Sequence, residues 1–245
     1  MNISLVVSAI CDAGCIKLKN EDMILLNNVI FRNGKRQAVF SADERVILAV
    51  ADGVGGLPSG EVASEQVLKF LCDMLANIPD DLNVEKLREL FNAYSAQANV
   101  ILSDEMGSTL AALFFYNGRL FRCHAGDTRI YRLREGELER LTIDHSLRES
   151  GGQSYARINI MTNAIGGGAS DYIEFEEIDS PFHINDVYLL SSDGMHSLLS
   201  QKEISEILGR PDAAAKLNAL AKKYGGNDNI SVVVINIMEN LNGYL

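Results

Sequence analysis

The sequence predicts an α+β fold, antiparallel sheets covered by helices. Three observations predict it. Strand-like apolar runs come first, two amphipathic helical stretches follow, strands resume, and helices with one closing strand end the chain. Tight turns such as Asn117-Gly118 and Glu135-Gly136 separate the strands of the middle segment, as they do in an antiparallel meander. No period repeats and no linker interrupts the pattern, so residues 1–245 are read as a single domain.

The elements follow in order. Ile3–Ile10 is apolar with interleaved serines and reads as a strand running into the turn Cys11-Asp12-Ala13-Gly14. Met23–Leu26 is a second apolar run, with Glu21 and Asp22 at its start. Arg32-Asn33-Gly34-Lys35 carries a hairpin signal and is expected to join Leu25–Phe31 to Arg36–Phe40. Val46–Val50 is a continuous apolar run, which marks a strand buried on both faces, and it ends in Ala51-Asp52-Gly53-Val54-Gly55-Gly56. A helix starts at Ser59 or Gly60, with Val62, Ala63, Val67, Phe70, Leu71 and Met74 at helical spacing. A second spans about Val84–Leu102, and each of the two has one apolar face to lay on a sheet. Strands are expected at Leu110–Tyr116, Arg119–His124, Arg129–Arg134 and Glu137–Leu141, with the turn Ala125-Gly126-Asp127-Thr128 among them. Thr142–Gly168, with its Gly151-Gly152 and Gly166-Gly167-Gly168 clusters, reads as a mobile loop and a candidate substrate flap. A strand near Tyr172–Ile178 precedes Val187–Ser192, which again ends in Asp193-Gly194. Helices at Met195–Leu199, Lys202–Leu208 and Ala213–Tyr224 lead to the last strand, Ile230–Ile235, with Asp228 just before it.

Composition narrows the function classes. The formal net charge is −11, from 22 Lys and Arg against 33 Asp and Glu, and no basic cluster offers a surface for a phosphate backbone. No stretch is apolar enough to span a membrane, and Met1-Asn2-Ile3-Ser4 lacks the basic start of a secretory signal. Cys11, Cys15, Cys72 and Cys123 have no paired zinc spacing and read as reduced thiols. The expectation is a cytoplasmic monomer with neither a nucleic-acid nor a membrane partner.

The chemistry lies in the carboxylates. Asp22, Asp52, Asp127, Asp193 and Asp228 all flank buried strands. If the strands carrying Asp22 and Asp52 pair antiparallel, both residues reach one rim. Each aspartate alone could be a solvated turn residue. Five on one rim would repel one another unless cations neutralise them. Carboxylates and an exposed backbone carbonyl are hard oxygen ligands suited to Mg2+ or Mn2+. Two such ions sharing Asp52 would lower the pKa of water from 15.7 toward ~7 and clamp a phosphoryl group for in-line attack. Neither a histidine-based triad nor an activated cysteine is evident.

In order along the chain, Asp12-Ala13-Gly14, Asn20-Glu21-Asp22, Ala51–Gly56 with Gly60-Glu61-Val62-Ala63-Ser64, Gly107-Ser108-Thr109, Gly126-Asp127-Thr128-Arg129, Ser192-Asp193-Gly194 and Asn227-Asp228-Asn229 resemble one family. It is that of the metal-dependent, type 2C serine/threonine protein phosphatases, in their compact bacterial form. The resemblance implies a four-layer αββα sandwich, two antiparallel sheets between helix pairs. It implies that Asp52 bridges two ions and that Asp193 and Asp228 complete the first site. The Gly53 carbonyl, with Glu21 or Asp22, would complete the second, and Asp127 with Asp193 would hold the third ion of bacterial members. Phosphorylated proteins are the implied substrates, with a serine/threonine kinase as the opposing enzyme.

The chain departs from that pattern in three places. Lys17 stands where the family usually has a phosphate-gripping arginine, which keeps the charge but loses the bidentate fork, and Lys19 is its rival for the role. Val54 replaces a histidine proposed as general acid in some members. The flap from His145 to Asn163 is short, and His145 at its start is a candidate substrate contact set against a structural role; His124, His183 and His196 read as structural. Two other readings compete: a catalytically weak or silent domain of the same fold that binds a signalling partner, and a two-metal nuclease or small-phosphoester hydrolase. The retained aspartates argue against the first, and the acidic charge against nucleic acid in the second.

Overall fold

A computed structural model describes residues 3–54, 59–79, 82–102, 105–150, 160–167, 172–179 and 182–239. Gly55-Gly56, residues 151–159 of the expected flap and Gly168 lie outside the described residues. In chain order the strands of the first half are β1 (Ile3–Asp12), β2 (Asp22–Leu26), β3 (Val29–Phe31), β4 (Gly34–Ser41) and β5 (Val46–Asp52), followed by helices α1 (Gly60–Ala76) and α2 (Val84–Leu102). The middle segment holds β6 (Gly107–Ser108), β7 (Leu110–Tyr116), β8 (Arg119–Ala125), β9 (Arg129–Arg134), β10 (Glu137–Arg140), α3 (Leu147–Ser150) and β11 (Ile165–Gly166). The rest comprises β12 (Glu174–Glu177), β13 (Val187–Ser191), α4 (Asp193–His196), α5 (Gln201–Leu208), α6 (Ala213–Lys223) and β14 (Ile230–Glu239).

Two six-stranded antiparallel sheets face each other, one ordered β10-β9-β13-β14-β1-β4 and the other β12-β8-β7-β5-β2-β3. The pleat of each central strand explains its unbroken apolar run. In β5, Val46, Leu48 and Val50 enter the core between the sheets, while Ile47, Ala49 and Ala51 point to α1 and α2. In β14, Val233 and Ile235 enter that same inter-sheet core, while Val232 and Val234 share a second core with Ile204 and Leu208 of α5 and Leu217 of α6. Each large aliphatic side chain buried in this way contributes about 1.5–3 kcal/mol. The result is the expected four-layer sandwich: α1 and α2, the two sheets, then α4 to α6. No helix among the described residues is long and apolar enough to cross a membrane.

Two expectations need correction. Asn33 and Gly34 do adopt the positive φ of a tight turn, at 61° and 108°. The strands on either side of it do not form a hairpin, because β3 pairs with β2 whereas β4 crosses to the other sheet and pairs with β1 from Cys11↔Gly34 to Ser4↔Ser41. That longer ladder offers far more backbone hydrogen bonds than the three-residue β3 could. The segment expected as a loop from Thr142 to Gly168 contains α3 and β11, and β11 pairs with β6.

Candidate metal centre

The acidic rim is assembled by register and by close backbone contact. Asp22 opens β2 and Asp52 closes β5, and the two are direct partners in the antiparallel ladder. The Asp52 backbone is fixed from both sides by Thr109: Asp52 N–H donates to Thr109 Oγ1 at 3.0 Å, and Thr109 N–H donates to the Asp52 carbonyl at 2.8 Å. Gly53 must be glycine, since a Cβ there would lie 2.3 Å from the Gly60 carbonyl oxygen at the start of α1. Asp127 sits in the turn from β8 to β9, where Gly126 has φ +97° and a Cβ would meet Thr109 Cγ2 at 2.6 Å. So Thr109 both holds Asp52 and seats the turn that carries Asp127.

Asp193 begins α4 where β13 ends, and Asp228 precedes β14. A Cβ on Gly194 would lie 1.9 Å from the Asn229 carbonyl oxygen, and one on Gly14 would lie 2.1 Å from that of Asp228. The glycines after Asp193 and Asp12 therefore let three chain segments close on one another. Buried Asn229 fastens the loop before β2: its Nδ2 donates to the carbonyls of Ala13 at 3.0 Å and Lys19 at 2.9 Å, and its Oδ1 accepts from Glu21 N–H at 2.8 Å. Ser192 Oγ donates to Asp22 Oδ2 at 2.7 Å and accepts from Ser231 N–H at 2.9 Å. In the sequence Thr109, Ser192 and Asn229 stand only as motif pieces. Their proximity to the aspartates along the chain is the one signal there for these supporting roles.

The rim is electrostatically strained as it stands. Burial pushes the Asp22 carboxyl up to about 6, despite the hydrogen bond from Ser192. Burial, with the charge of Asp127 next, pushes Asp193 up to about 7. Asp52 is raised well above the usual carboxylate range by burial and then by Asp22, Asp193, Asp127 and Asp228 together. The structure thus brings all five predicted aspartates within mutual influence. Fully buried Asp22 also has one carboxylate oxygen, Oδ1, with no hydrogen-bond partner. An orphaned buried oxygen amid mutually repelling carboxylates fits a hard divalent cation, and the donor set is all oxygen.

Lys17 Nζ lies 3.0 Å from Asp228 Oδ1, and that hydrogen bond raises its pKa. It stands at the rim, and the charges of Glu21 and Asp52 also reach it. Lys19 instead pairs with Glu61 at 2.9 Å. His145 does not open toward a substrate. It is buried, with Nδ1 accepting from Gly126 N–H and Asn163 Nδ2 and with Nε2 turned to Glu174, which gives it the structural role. Asp12 also lies apart, ion-paired with Lys222 at 3.0 Å. Among the cysteines, all free, Cys11 is buried and its thiol is pushed up to about 11 by burial, which disqualifies it as a nucleophile.

The family model described as protein phosphatase 2C matches residues 35–223. The chain is similar to the serine/threonine phosphatase stp of Listeria monocytogenes, 30% identical over 247 residues covering 91% of this chain and 92% of that one. It resembles the solved catalytic domain of the serine/threonine protein phosphatase PstP in complex with two manganese ions, with TM-score 0.72 and 30% identity, covering 96% of this chain and 100% of that one. It also resembles the serine/threonine phosphatase of S. agalactiae, with TM-score 0.77 and 26% identity over 95% and 99% of the two chains.

Proposed function

The chain belongs to the protein phosphatase 2C family, and from that premise we propose roles for the residues of its acidic rim in phosphoserine and phosphothreonine hydrolysis. The protein is a metal-dependent serine/threonine protein phosphatase that uses Mn2+ or Mg2+. When bound, such ions lower the pKa of water and neutralise the transferring phosphoryl group. Asp52 is assigned to both core ions, because the charges of all four other aspartates bear on it. Asp193 and Asp228 are assigned to the first ion. The Gly53 carbonyl with Glu21 or Asp22 is assigned to the second, and Asp127 with Asp193 to a third.

The protein's own part is orientation. Thr109 holds the Asp52 backbone, Ser192 the Asp22 carboxylate and Asn229 the loop before β2, so the segments that carry the carboxylates are already in place and little reorganisation accompanies binding. Lys17 is assigned to the substrate phosphate, as a point charge at the rim. Phosphoproteins are the substrates, and a serine/threonine kinase acting on the same proteins is the proposed counterpart of a cytoplasmic, monomeric enzyme.

The observation that carries this reading is the strained cluster itself. A silent domain gains nothing from buried carboxylates whose protonation equilibria are pushed up to about 6 and about 7. Hydrolysis of a phosphothreonine peptide should require Mn2+ or Mg2+ and cease in excess EDTA. Full turnover in chelator would overturn the assignment.

A further inference from the structure

Behind the turn that carries Asp127 lies a buried cluster with no part in the reaction as described. His124 on β8 and Glu174 on β12 are direct ladder partners, and His145 packs against His124 with ring centroids 4.7 Å apart. His124 is fully buried and His145 nearly so. Both imidazoles grip the turn. His124 Nε2 lies 3.0 Å from the Thr128 carbonyl oxygen, so that nitrogen carries a proton and donates it. His145 Nδ1 accepts from Gly126 N–H at 3.2 Å and from Asn163 Nδ2 at 2.8 Å, and His145 N–H donates to the Gly126 carbonyl at 2.9 Å.

These bonds dictate where the protons are. With Nδ1 of His145 accepting, its proton sits on Nε2, which is 3.3 Å from Glu174 Oε1. With Nε2 of His124 donating, its Nδ1 faces Glu174 Oε2 at 3.6 Å, and both atoms are buried without a hydrogen-bond partner. Two bare acceptors facing each other repel, and nothing in the cluster's own protons relieves them. A metal ion there would also need the Nε2 lone pair of His145, which the two donors on its Nδ1 deny it. Burial pulls the His124 pKa down and the imidazoles, His124 first, hold the Glu174 carboxyl well below the usual range, so near neutral pH a neutral His124 faces an ionised Glu174, and the grip on the turn comes from the hydrogen bonds to Thr128 and Gly126. Of the other groups near Glu174, Arg122 Nη2 is 4.0 Å from Oε2, and the Tyr172 ring packs on His145.

We propose that His124, His145 and Glu174 are positioning residues: with Glu174 facing both imidazoles and the imidazoles bonded to Thr128 and Gly126, they clamp the Gly126–Thr128 turn from behind and so aim Asp127 at the other carboxylates. The inference rests on the assignment of Asp127 to the metal centre.

Two substitutions in the full chain test it. In Glu174→Gln the amide oxygen can accept from His145 Nε2–H while the amide N–H donates to His124 Nδ1, so the clamp survives without the charge. Glu174→Ala removes both contacts. The expected result is kcat within about twofold of the parent for Glu174→Gln and a fall of about tenfold to a hundredfold for Glu174→Ala, with KM for a phosphopeptide unchanged in both. Calorimetric binding of the two core Mn2+ ions should be unchanged in both. Exchange of the Gly126 amide should quicken in Glu174→Ala and stay parent-like in Glu174→Gln. If Asp127→Ala turns over like the parent, it is the assignment of Asp127 that fails, while amide exchange still reports the clamp. Glu174→Gln as damaged as Glu174→Ala would overturn the hydrogen-bonding role of Glu174 in the clamp. Zn2+ bound stoichiometrically by the parent and lost from Glu174→Gln would overturn it in favour of a metal. Parent-like Gly126 exchange in Glu174→Ala would overturn the clamp.

Discussion

In chelator, replacing Asp22 by Asn should stabilise the protein, although it damages the site. Asp22 is fully buried, and its carboxyl is pushed up from 3.8 to about 6. A folded-state pKa above the unfolded one means that the folded protein holds the proton more tightly. The Asp22 contribution is therefore most favourable below the unfolded value near 3.8, and it is lost as pH rises through about 6. At about 1.4 kcal/mol per pKa unit, a shift of about two units costs on the order of 3 kcal/mol near pH 7.5 and on the order of 1 kcal/mol near pH 4.5. Asn keeps an oxygen to accept the 2.7 Å bond from Ser192 and has no charge to desolvate. In EDTA near pH 7.5, Asp22→Asn should melt about 6–12 °C above the parent, given about 2–4 °C per kcal/mol for a chain of this size. The gap should narrow toward pH 4.5, and carboxylates with lowered pKa values elsewhere, such as Asp12, cancel in the comparison. Adding Mn2+ should raise the parent's melting temperature more than the variant's. Thermal melts followed by far-UV circular dichroism read all three. A variant no more stable than the parent in EDTA near pH 7.5, or a gap that widens on acidification, would refute the reasoning.

Two further outcomes concern substrate and turnover. Lys17→Ala should lose on the order of 1.5–3 kcal/mol of transition-state binding, roughly tenfold to a hundredfold in kcat/KM on a phosphopeptide, while Lys17→Arg should match or exceed the parent; an unaffected Lys17→Ala would leave Lys17 as the partner of Asp228 alone. Asp127→Ala should slow turnover while calorimetry still shows both core ions bound, and loss of the core ions would contradict its assignment to a third site.

The layers and the rim could be read in the sequence because their signals are local. Val46–Val50 and Val187–Leu190 are apolar on both faces because each lies in a sheet with a packed layer on either side. The Asp-Gly that ends each run marks a place where a Cβ would strike another segment, the Gly60 carbonyl at Gly53 and the Asn229 carbonyl at Gly194. What escaped depends on long-range partners. The turn at Asn33-Gly34 is visible, but nothing local says that β4 belongs with β1 and not with β3. Nothing local joins His145 to Glu174 either, far apart in sequence and 3.3 Å apart across the fold. Sequence position alone suggests His145 as a substrate contact, and the fold turns it inward.

On the proposed assignment the clustered aspartates hold divalent ions, with Asp52 common to the core pair. Calorimetric titration of the chelator-stripped protein with Mn2+, parent beside Asp52→Asn, tests this most directly. The parent should bind at least two ions, Asp52→Asn should retain neither of the core pair with parent affinity, and phosphopeptide turnover should be lost with them. Parent-like Mn2+ binding by Asp52→Asn would contradict it.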